Sequence, residues 1–262
     1  MKIKQIRNAT LKITFAGQTF LTDPWLADQG AMGTFAKGSY RSPKAEQNNI
    51  AMPICALPFP REEILKGVDA YLITHVHPDH LDLTPDGKVG PYLERSVPSF
   101  VQNSEDAKVL CDSGFTDVNV LYEDSHFGPC QILPTPARHG TKIPCGPAKG
   151  IILKAQNEPT LYLAGDTIWY SAIHKTILAH KPKVIVLNAC AATLENFGRL
   201  IMDDADVEAV YHACPQAKII ISHLDNVAHA FLDRSSMREA LQKRGLLERV
   251  YLPNDGESYT FD

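Results

Sequence analysis

Thr74-His75-Val76-His77-Pro78-Asp79-His80 follows directly on the apolar run Ala70-Tyr71-Leu72-Ile73 and places four candidate metal ligands within six positions. The apolar run reads as a strand. On an extended segment His75 and His77 project to one side and can share an ion, while Pro78 ends ladder pairing and lets Asp79 and His80 turn toward a second point. Neutral imidazoles with a carboxylate are the donors that hold zinc, manganese or iron while leaving a coordination position open, as a catalytic metal requires. A single histidine near a strand end is ordinarily a surface residue; three of them beside an aspartate are not explained that way.

Outward from this segment, residues 3–6, 11–15 and 18–22 alternate apolar and polar side chains between turn residues, the pattern of an antiparallel meander. Residues 23–60 lose that pattern in a stretch containing Gly30, Gly33, Gly38, Pro43, Pro53, Pro58 and Pro60. Loops of this length serve as lids or binding loops, or are solvated excursions. Strands are then expected at 69–74 and 99–101, with a helix over 104–112 capped by Asn103 or Ser104. A second meander is expected over 118–122, 131–135, 151–155 and 160–164. Strands at 184–187, 218–222 and 249–252 and helices near 172–179, 204–213 and 235–243 complete the order. This succession describes two similar halves, and two half-sheets with helices on their outer sides make an α/β sandwich around one sheet-on-sheet core. No repeat, low-complexity tract or flexible linker divides the chain, so a single domain over 1–262 is expected.

Composition excludes several classes of function. With 44% hydrophobic and 21% charged residues among 262, the chain has ample apolar surface for a core. Lys and Arg number 26 against 30 Asp and Glu, and a formal charge of -4 gives no field to attract nucleic acid or anionic lipid. The most apolar run, 184–187, is cut off by Asn188, far short of the ~18 residues of a spanning helix. Residues 1–15 lack the unbroken apolar segment of a secretory signal, so a cytoplasmic address is expected. The widely spaced Cys55, Cys111, Cys130, Cys145, Cys190 and Cys214 read as reduced, mostly buried thiols. The expected partner is a small-molecule substrate; a homo-oligomer is compatible with the sequence, which does not report it.

The 74–80 segment resembles the H-x-H-x-D-H signature of the metallo-β-lactamase fold superfamily of metallohydrolases. The resemblance implies a four-layer αββα sandwich of two mixed β-sheets with helices on both outer faces. It extends to Thr135-Pro136-Ala137-Arg138-His139-Gly140, to Leu161-Tyr162-Leu163-Ala164-Gly165-Asp166-Thr167 and to Ile219-Ile220-Ile221-Ser222-His223. It implies one metal held by His75, His77 and His139, a second by Asp79, His80 and His223, and Asp166 as the bridge. His229, six residues past His223, competes with it as ligand or binds substrate. The stretch Phe20-Leu21-Thr22-Asp23-Pro24-Trp25-Leu26 resembles a narrower branch, the L-ascorbate-6-phosphate lactonase-like proteins, in which an early Asp lies close to the metals. Leu187-Asn188-Ala189 and Leu200-Ile201-Met202-Asp203-Asp204 share that likeness, but the chain is shorter than typical lactonases and its 23–60 loop need not form the same pocket. Asp23 and Asn188 are thus candidates for substrate or supporting contacts, the alternatives being a strand-ending turn and a cap.

The implied activity is metal-dependent hydrolysis of a small-molecule ester, lactone or phosphoester by metal-activated hydroxide, with one or two divalent ions, zinc ahead of manganese or iron. Asp79 and Asp166 are the candidate catalytic carboxylates, orienting the water and relaying its proton. A phosphodiesterase or nuclease of the same fold and a non-catalytic metal-binding sensor or scaffold are the other readings. Diiron flavoproteins of this fold usually carry Glu where His77 stands, and transfer-RNA nucleases add a basic arm that is not visible here. His126 lies in a loop that could approach the site, Tyr40, Arg41 and Lys44 in the long loop could bind an acidic substrate, and Trp25 and Trp169 could wall the pocket or pack in the core. Protein purified without chelator is expected to carry about one to two transition-metal ions per chain by elemental analysis. The double variant His75→Ala, His77→Ala should lose them, and a wild-type protein that stays metal-free after reconstitution would remove the premise.

Overall fold

The computed structural model describes residues 1–262 apart from the side chain of Lys37. The chain opens with three antiparallel strands, β1 (Lys2–Arg7), β2 (Thr10–Phe15) and β3 (Gln18–Thr22). After the long loop come a short helix α1 (Arg61–Leu65), β4 (Ala70–Ile73), β5 (Ser99–Val101), α2 (Ser104–Asp112) and β6 (Val118–Val120). The second half holds β7 (His126–Phe127), β8 (Cys130–Pro136), β9 (Lys149–Lys154), β10 (Leu161–Leu163), α3 (Ser171–His180) and β11 (Val184–Asn188). A small hairpin, β12 (Thr193–Leu194) and β13 (Gly198–Arg199), precedes α4 (Asp204–Ala213), β14 (Lys218–Ser222), α5 (Arg234–Lys243), β15 (Val250–Tyr251) and β16 (Ser258–Thr260).

Two seven-stranded mixed sheets result, ordered β16-β1-β2-β3-β4-β5-β6 and β15-β14-β11-β10-β9-β8-β7. The expected sandwich is present, with two corrections. Residues 118–120 continue the first sheet, parallel to β5, rather than opening the second meander. The halves are also not independent in sequence, because β16 returns to pair with β1. A three-residue strand 258–260 lies within the range where periodicity alone cannot identify an element, and its partner is some 250 residues away in sequence.

Side-chain alternation divides these strands among three cores. Phe20, Ala70 and Leu72 face Ile151, Leu161, Leu163, Val184 and Val186 between the sheets. The alternate positions Leu21, Tyr71 and Ile73 pack beneath α1 and α2 with Ile64 and Leu110. Tyr162, Ile185, Leu187, Ile219 and Ile221 pack beneath α3, α4 and α5 with Ile173, Val207 and Met237. Strands buried on both faces read as unbroken apolar runs, which is why Ala-Tyr-Leu-Ile and Val-Ile-Val-Leu stand out in the sequence. Helix starts follow local chemistry: Asn103, Asp203 and Asp233 each accept a hydrogen bond from the backbone N–H three residues on.

The 23–60 segment is no solvated excursion. Trp25, Ala27, Phe35 and Met52 are buried within the cluster beneath α3–α5. The buried Arg7 donates to the carbonyls of Trp25 and Ala27 at 2.9 Å and of Cys55 at 3.1 Å, tying both ends of the loop to β1. The six cysteines are free thiols; Cys111 is exposed, Cys55 intermediate and the other four buried. No helix among the described residues is long and apolar enough to cross a membrane. Leu72, fully buried between the sheets, is a measure of that core: Leu72→Ala should lower unfolding stability by about 2–5 kcal/mol in urea titration. A loss under about 1 kcal/mol would mean that the inter-sheet layer is loosely packed there.

Candidate metal centre

The C-terminal ends of β1, β3, β4, β8, β10, β11 and β14 all open on one edge of the sandwich, because these strands run the same way through the two sheets. Open α/β sheets gather functional side chains at such an edge. Each strand there ends in a polar residue at or just past its terminus: Asn8, Asp23, His75, His139, Asp166, Asn188 and His223, in the same order. Two of these turns need unusual backbone. His223 has φ 63 and Asp23 φ 40, left-handed conformations that an L-residue adopts at a cost of order 1–3 kcal/mol. Gly165, with φ 66, brings Asp166 past β9 so closely that a Cβ would lie 2.7 Å from the Lys149 carbonyl oxygen.

The predicted ligands converge. Donor atoms of His75, His77 and His139, of His75, His80 and Asp166, and of Asp79, His80 and His223 form three groups, each with its atoms within 4.8 Å of one another. Asp166 Oδ2 is the shared point, 3.3 Å from His80 Nε2, 3.7 Å from His139 Nδ1, 3.9 Å from His223 Nε2 and 4.0 Å from His75 Nε2. His223 Nε2 also lies 3.4 Å from Asp79 Oδ2. His229 belongs to none of these groups among the described residues, so His223 is the histidine that the fold delivers to the cluster. His75 Nε2 and His139 Nδ1 are buried without hydrogen-bond partners. Buried donors and acceptors are ordinarily paired, and imidazole nitrogens left bare around a carboxylate fit a divalent transition metal held at about 2.0–2.2 Å. The donor set therefore fits the implied ions.

Supporting residues fix which atoms face inward. Asp23 accepts from the Thr74 backbone N–H and hydroxyl, both at 2.8 Å, and pairs with His80 Nδ1 at 3.0 Å. That carboxylate makes Nδ1 the protonated nitrogen of His80 and aims Nε2 at the cluster. Because the Thr74 hydroxyl hydrogen is committed to Asp23, its oxygen accepts from His75 Nδ1 at 3.1 Å, which leaves Nε2 of His75 bare. Asn188 donates to Asp166 Oδ1 at 2.7 Å and so turns Oδ2 toward the four imidazoles. Asp23 thus stands at the end of β3 and also buttresses His80 and Thr74, while Asn188 buttresses Asp166. Asn8 was not singled out from the sequence: its amide donates to the Asp79 carbonyl at 2.9 Å and lies 3.3 Å from His223 Nε2, while its own carbonyl accepts from the His223 N–H at 3.0 Å. An asparagine in a two-residue hairpin turn carries no signal beyond the turn.

The electrostatics follow from burial. Desolvation holds His75 well below its ordinary range and pushes His139 down to about 4, so both are neutral imidazoles. Burial also disfavours charge on His80, but Asp166 and Asp23 outweigh it and raise that ring to about 10. Burial would raise Asp166, yet the adjoining His80 and His223 keep it well below the carboxylate range. A set of buried carboxylates thus demands positive charge at the centre.

Other expected residues fall elsewhere. His126 is exposed on β7, bonded to the Asp124 carbonyl and opposite Gln131, at the end of β8 away from His139. Arg41 spends its guanidinium on loop carbonyls, those of Phe35, Ala36, Gly38 and Tyr40, and Lys44 lies over the Phe231 ring. Trp25 is core, stacked with Arg7, and Trp169 packs against the cluster beneath α3–α5. Of the loop candidates, Tyr40 does reach the site: with Met32, Phe35, Cys145, Ala192, Leu194 and Leu200 it encloses a cavity of about 60 Å³ over His77, Asp79, His139, Asp166 and His223.

Residues 18–224 match the model of the beta-lactamase superfamily domain. The chain belongs to that superfamily. Within it, the UPF0173 protein YddR of Bacillus subtilis is 38% identical over the full length of both chains. A UPF0173 metal-dependent hydrolase of Azorhizobium caulinodans is 25% identical over 99% of each. Among solved structures, the isothiocyanate hydrolase from Delia radicum gut bacteria superposes with a TM-score of 0.90 at 32% identity, covering 100% of this chain and 99% of that one. A possible metal-dependent hydrolase from Veillonella parvula gives 0.89 at 33% identity with the same coverage. This beta-lactamase superfamily member is a metal-dependent hydrolase of the UPF0173 kind. Asp23 tests how far its supporting shell matters: Asp23→Asn should weaken metal binding by about 10–100-fold in a competition titration with a chromogenic chelator. Unchanged affinity would mean that Asp23 serves only the turn.

Proposed function

We propose that this hydrolase attacks a small, largely apolar electrophile at carbon, with an isothiocyanate, R–N=C=S, as the representative substrate. The observation that carries the reading is the cavity wall. Met32, Phe35, Tyr40, Ala192, Leu194 and Leu200 surround the centre, and no Lys or Arg is among the described lining residues. The cavity of about 60 Å³ over the centre is narrow at its floor and suits the slender reactive head of a small molecule. A phosphodiester brings one negative charge and a phosphomonoester or phosphorylated lactone about two, and this wall offers no Lys or Arg to pair them beyond the centre itself. A heterocumulene is neutral, slender and electrophilic at its central carbon. The 32% identical isothiocyanate hydrolase supports the same chemistry.

In this reading His75, His77 and His139 would hold one ion and Asp79, His80 and His223 a second, with Asp166 between them; zinc is the first candidate and manganese or iron the next. Bound there, such ions supply Lewis acidity and a water whose pKa falls from about 15.7 toward about 7. Asp79 and Asp166 both line the cavity and accept the hydrogens of the attacking water, fixing where its lone pair points. The apolar wall keeps other water away from the electrophile and strengthens every polar contact within. An uncharged ester or lactone remains the second reading, since its carbonyl carbon presents the same demand.

Loaded protein should release amine and carbonyl sulfide from allyl isothiocyanate at least about a hundred-fold faster than it cleaves a nitrophenyl phosphodiester, followed by amine detection. His77→Ala should lower that turnover by about a hundred-fold or more. Preference for the phosphodiester would overturn the substrate class.

A further inference from the structure

His229 lines the reaction cavity with Asp79, Asp166 and His223, yet stands outside every ligand group. Only 6% of the residue is exposed, and its Nδ1 has no hydrogen-bond partner. A buried polar atom left unpaired costs about 1–3 kcal/mol, and neighbouring His75 and His139 account for theirs as metal donors while His229 does not. The ring is also held still. It rests on Phe35 with centroids 5.3 Å apart, and its carbonyl accepts from the Thr193 N–H at 3.0 Å. On its C-terminal side the Ala230 carbonyl accepts from Gln47 Nε2 at 2.8 Å, and Phe231 and Leu232 donate to the Cys190 carbonyl at 3.0 and 2.9 Å. With Nδ1 sealed off, the nitrogen of His229 that the cavity can use is Nε2, and a donor held on the wall around developing charge stabilises a transition state without reorganisation.

We propose that His229 is a catalytic residue that contacts the substrate, its ring N–H donating to the heterocumulene nitrogen as water adds to the central carbon. This rests on the isothiocyanate reading above. The water oxygen forms a bond to carbon as the C=N π pair withdraws onto nitrogen, which takes one water proton to give R–NH–C(OH)=S; the second proton then passes from oxygen to sulfur as C=S becomes C–S and C–O becomes C=O, giving R–NH–C(=O)–SH. The C–N bond of that thiocarbamic acid then breaks as the sulfur proton passes to nitrogen, leaving R–NH₂ and O=C=S. His229 neither gains nor loses a proton overall; it holds the nitrogen on which negative charge accumulates.

The test compares wild type, His229→Phe, which keeps the packing on Phe35 but has no donor, and His229→Gln, whose amide can donate. Metal content and thermal unfolding are read first, then turnover of alkyl and electron-poor aryl isothiocyanates, then binding of thiocyanate ion, a linear non-reacting probe, to the loaded proteins by calorimetry. The expected result is full metal in all three and turnover down by about 100-fold in His229→Phe. The loss should be smaller for the aryl substrates, whose nitrogen bears less charge, with partial recovery in His229→Gln and thiocyanate bound about tenfold more weakly by His229→Phe. Metal lost from His229→Phe, equal loss across substrates, or unchanged thiocyanate affinity would each overturn the role. If loaded wild type turns over no isothiocyanate, the substrate reading fails by itself, and the thiocyanate comparison still decides whether His229 engages a linear ligand. Thiocyanate that does not bind wild type in that case overturns the proposal as well.

Discussion

A single carboxylate oxygen, Asp166 Oδ2, stands among four imidazoles, and most of what is unusual in this molecule serves that cluster. The ring nitrogens around it are too close and too buried to be tolerated as an unpaired set, so each must be supplied with a defined lone pair and a cation to share it. Asn188 holds the other oxygen of Asp166, Asp23 holds the far side of His80, and Thr74 passes the same orientation on to His75. These contacts form one connected chain that runs from strand end to strand end. A sheet sandwich can provide it because strands are stiff and their ends lie at fixed separations, whereas loops alone would leave the donors free to wander.

Much of this was legible in the sequence for a physical reason. Parallel strands buried on both faces are spelled as unbroken apolar runs, and the ligands come immediately after them, so His75, Asp166 and His223 could be placed by reading where each run stops. His223 rather than His229 directly ends the apolar strand, and the fold groups its ring with Asp79 and His80. Both follow the same strand, and a left-handed turn at His223 accompanies its placement in the cluster. Asn8, by contrast, was invisible. It looks like a hairpin residue and is one, but its turn abuts Asp79 and His223, which are 71 and 215 positions away. The short strands β7, β12, β13 and β16 escaped because two or three residues carry no periodicity. The 118–120 strand was recognised but assigned to the wrong sheet, since hydrophobic alternation reports a strand and not its neighbour.

The loop over residues 23–60 shows how the generic centre becomes a particular pocket. Its composition of glycine, proline and polar residues gave no forecast of burial, yet it carries Met32, Phe35 and Tyr40 to the metal centre and packs Trp25 and Met52 into the core. Arg7 is the reason it stays. A fully buried guanidinium whose two terminal nitrogens donate to three loop carbonyls converts a long connection into a fixed wall, and the desolvation that draws its pKa down to about 10 leaves it charged. The apolar wall and the polar floor of the cavity thus come from different parts of the chain.

The antiparallel bond register between β16 and β1, together with the hydrogen bond from the His223 N–H to the Asn8 carbonyl, has a consequence for synthesis on the ribosome. Asp23 and the 75–80 residues are made first, His223 is made 143 residues after His80, and β16, which pairs with β1, later again. Until then the partial centre offers bare imidazoles and an unpaired β1 edge to its surroundings. The long-range pairing of β16 with β1 is what removes that open edge.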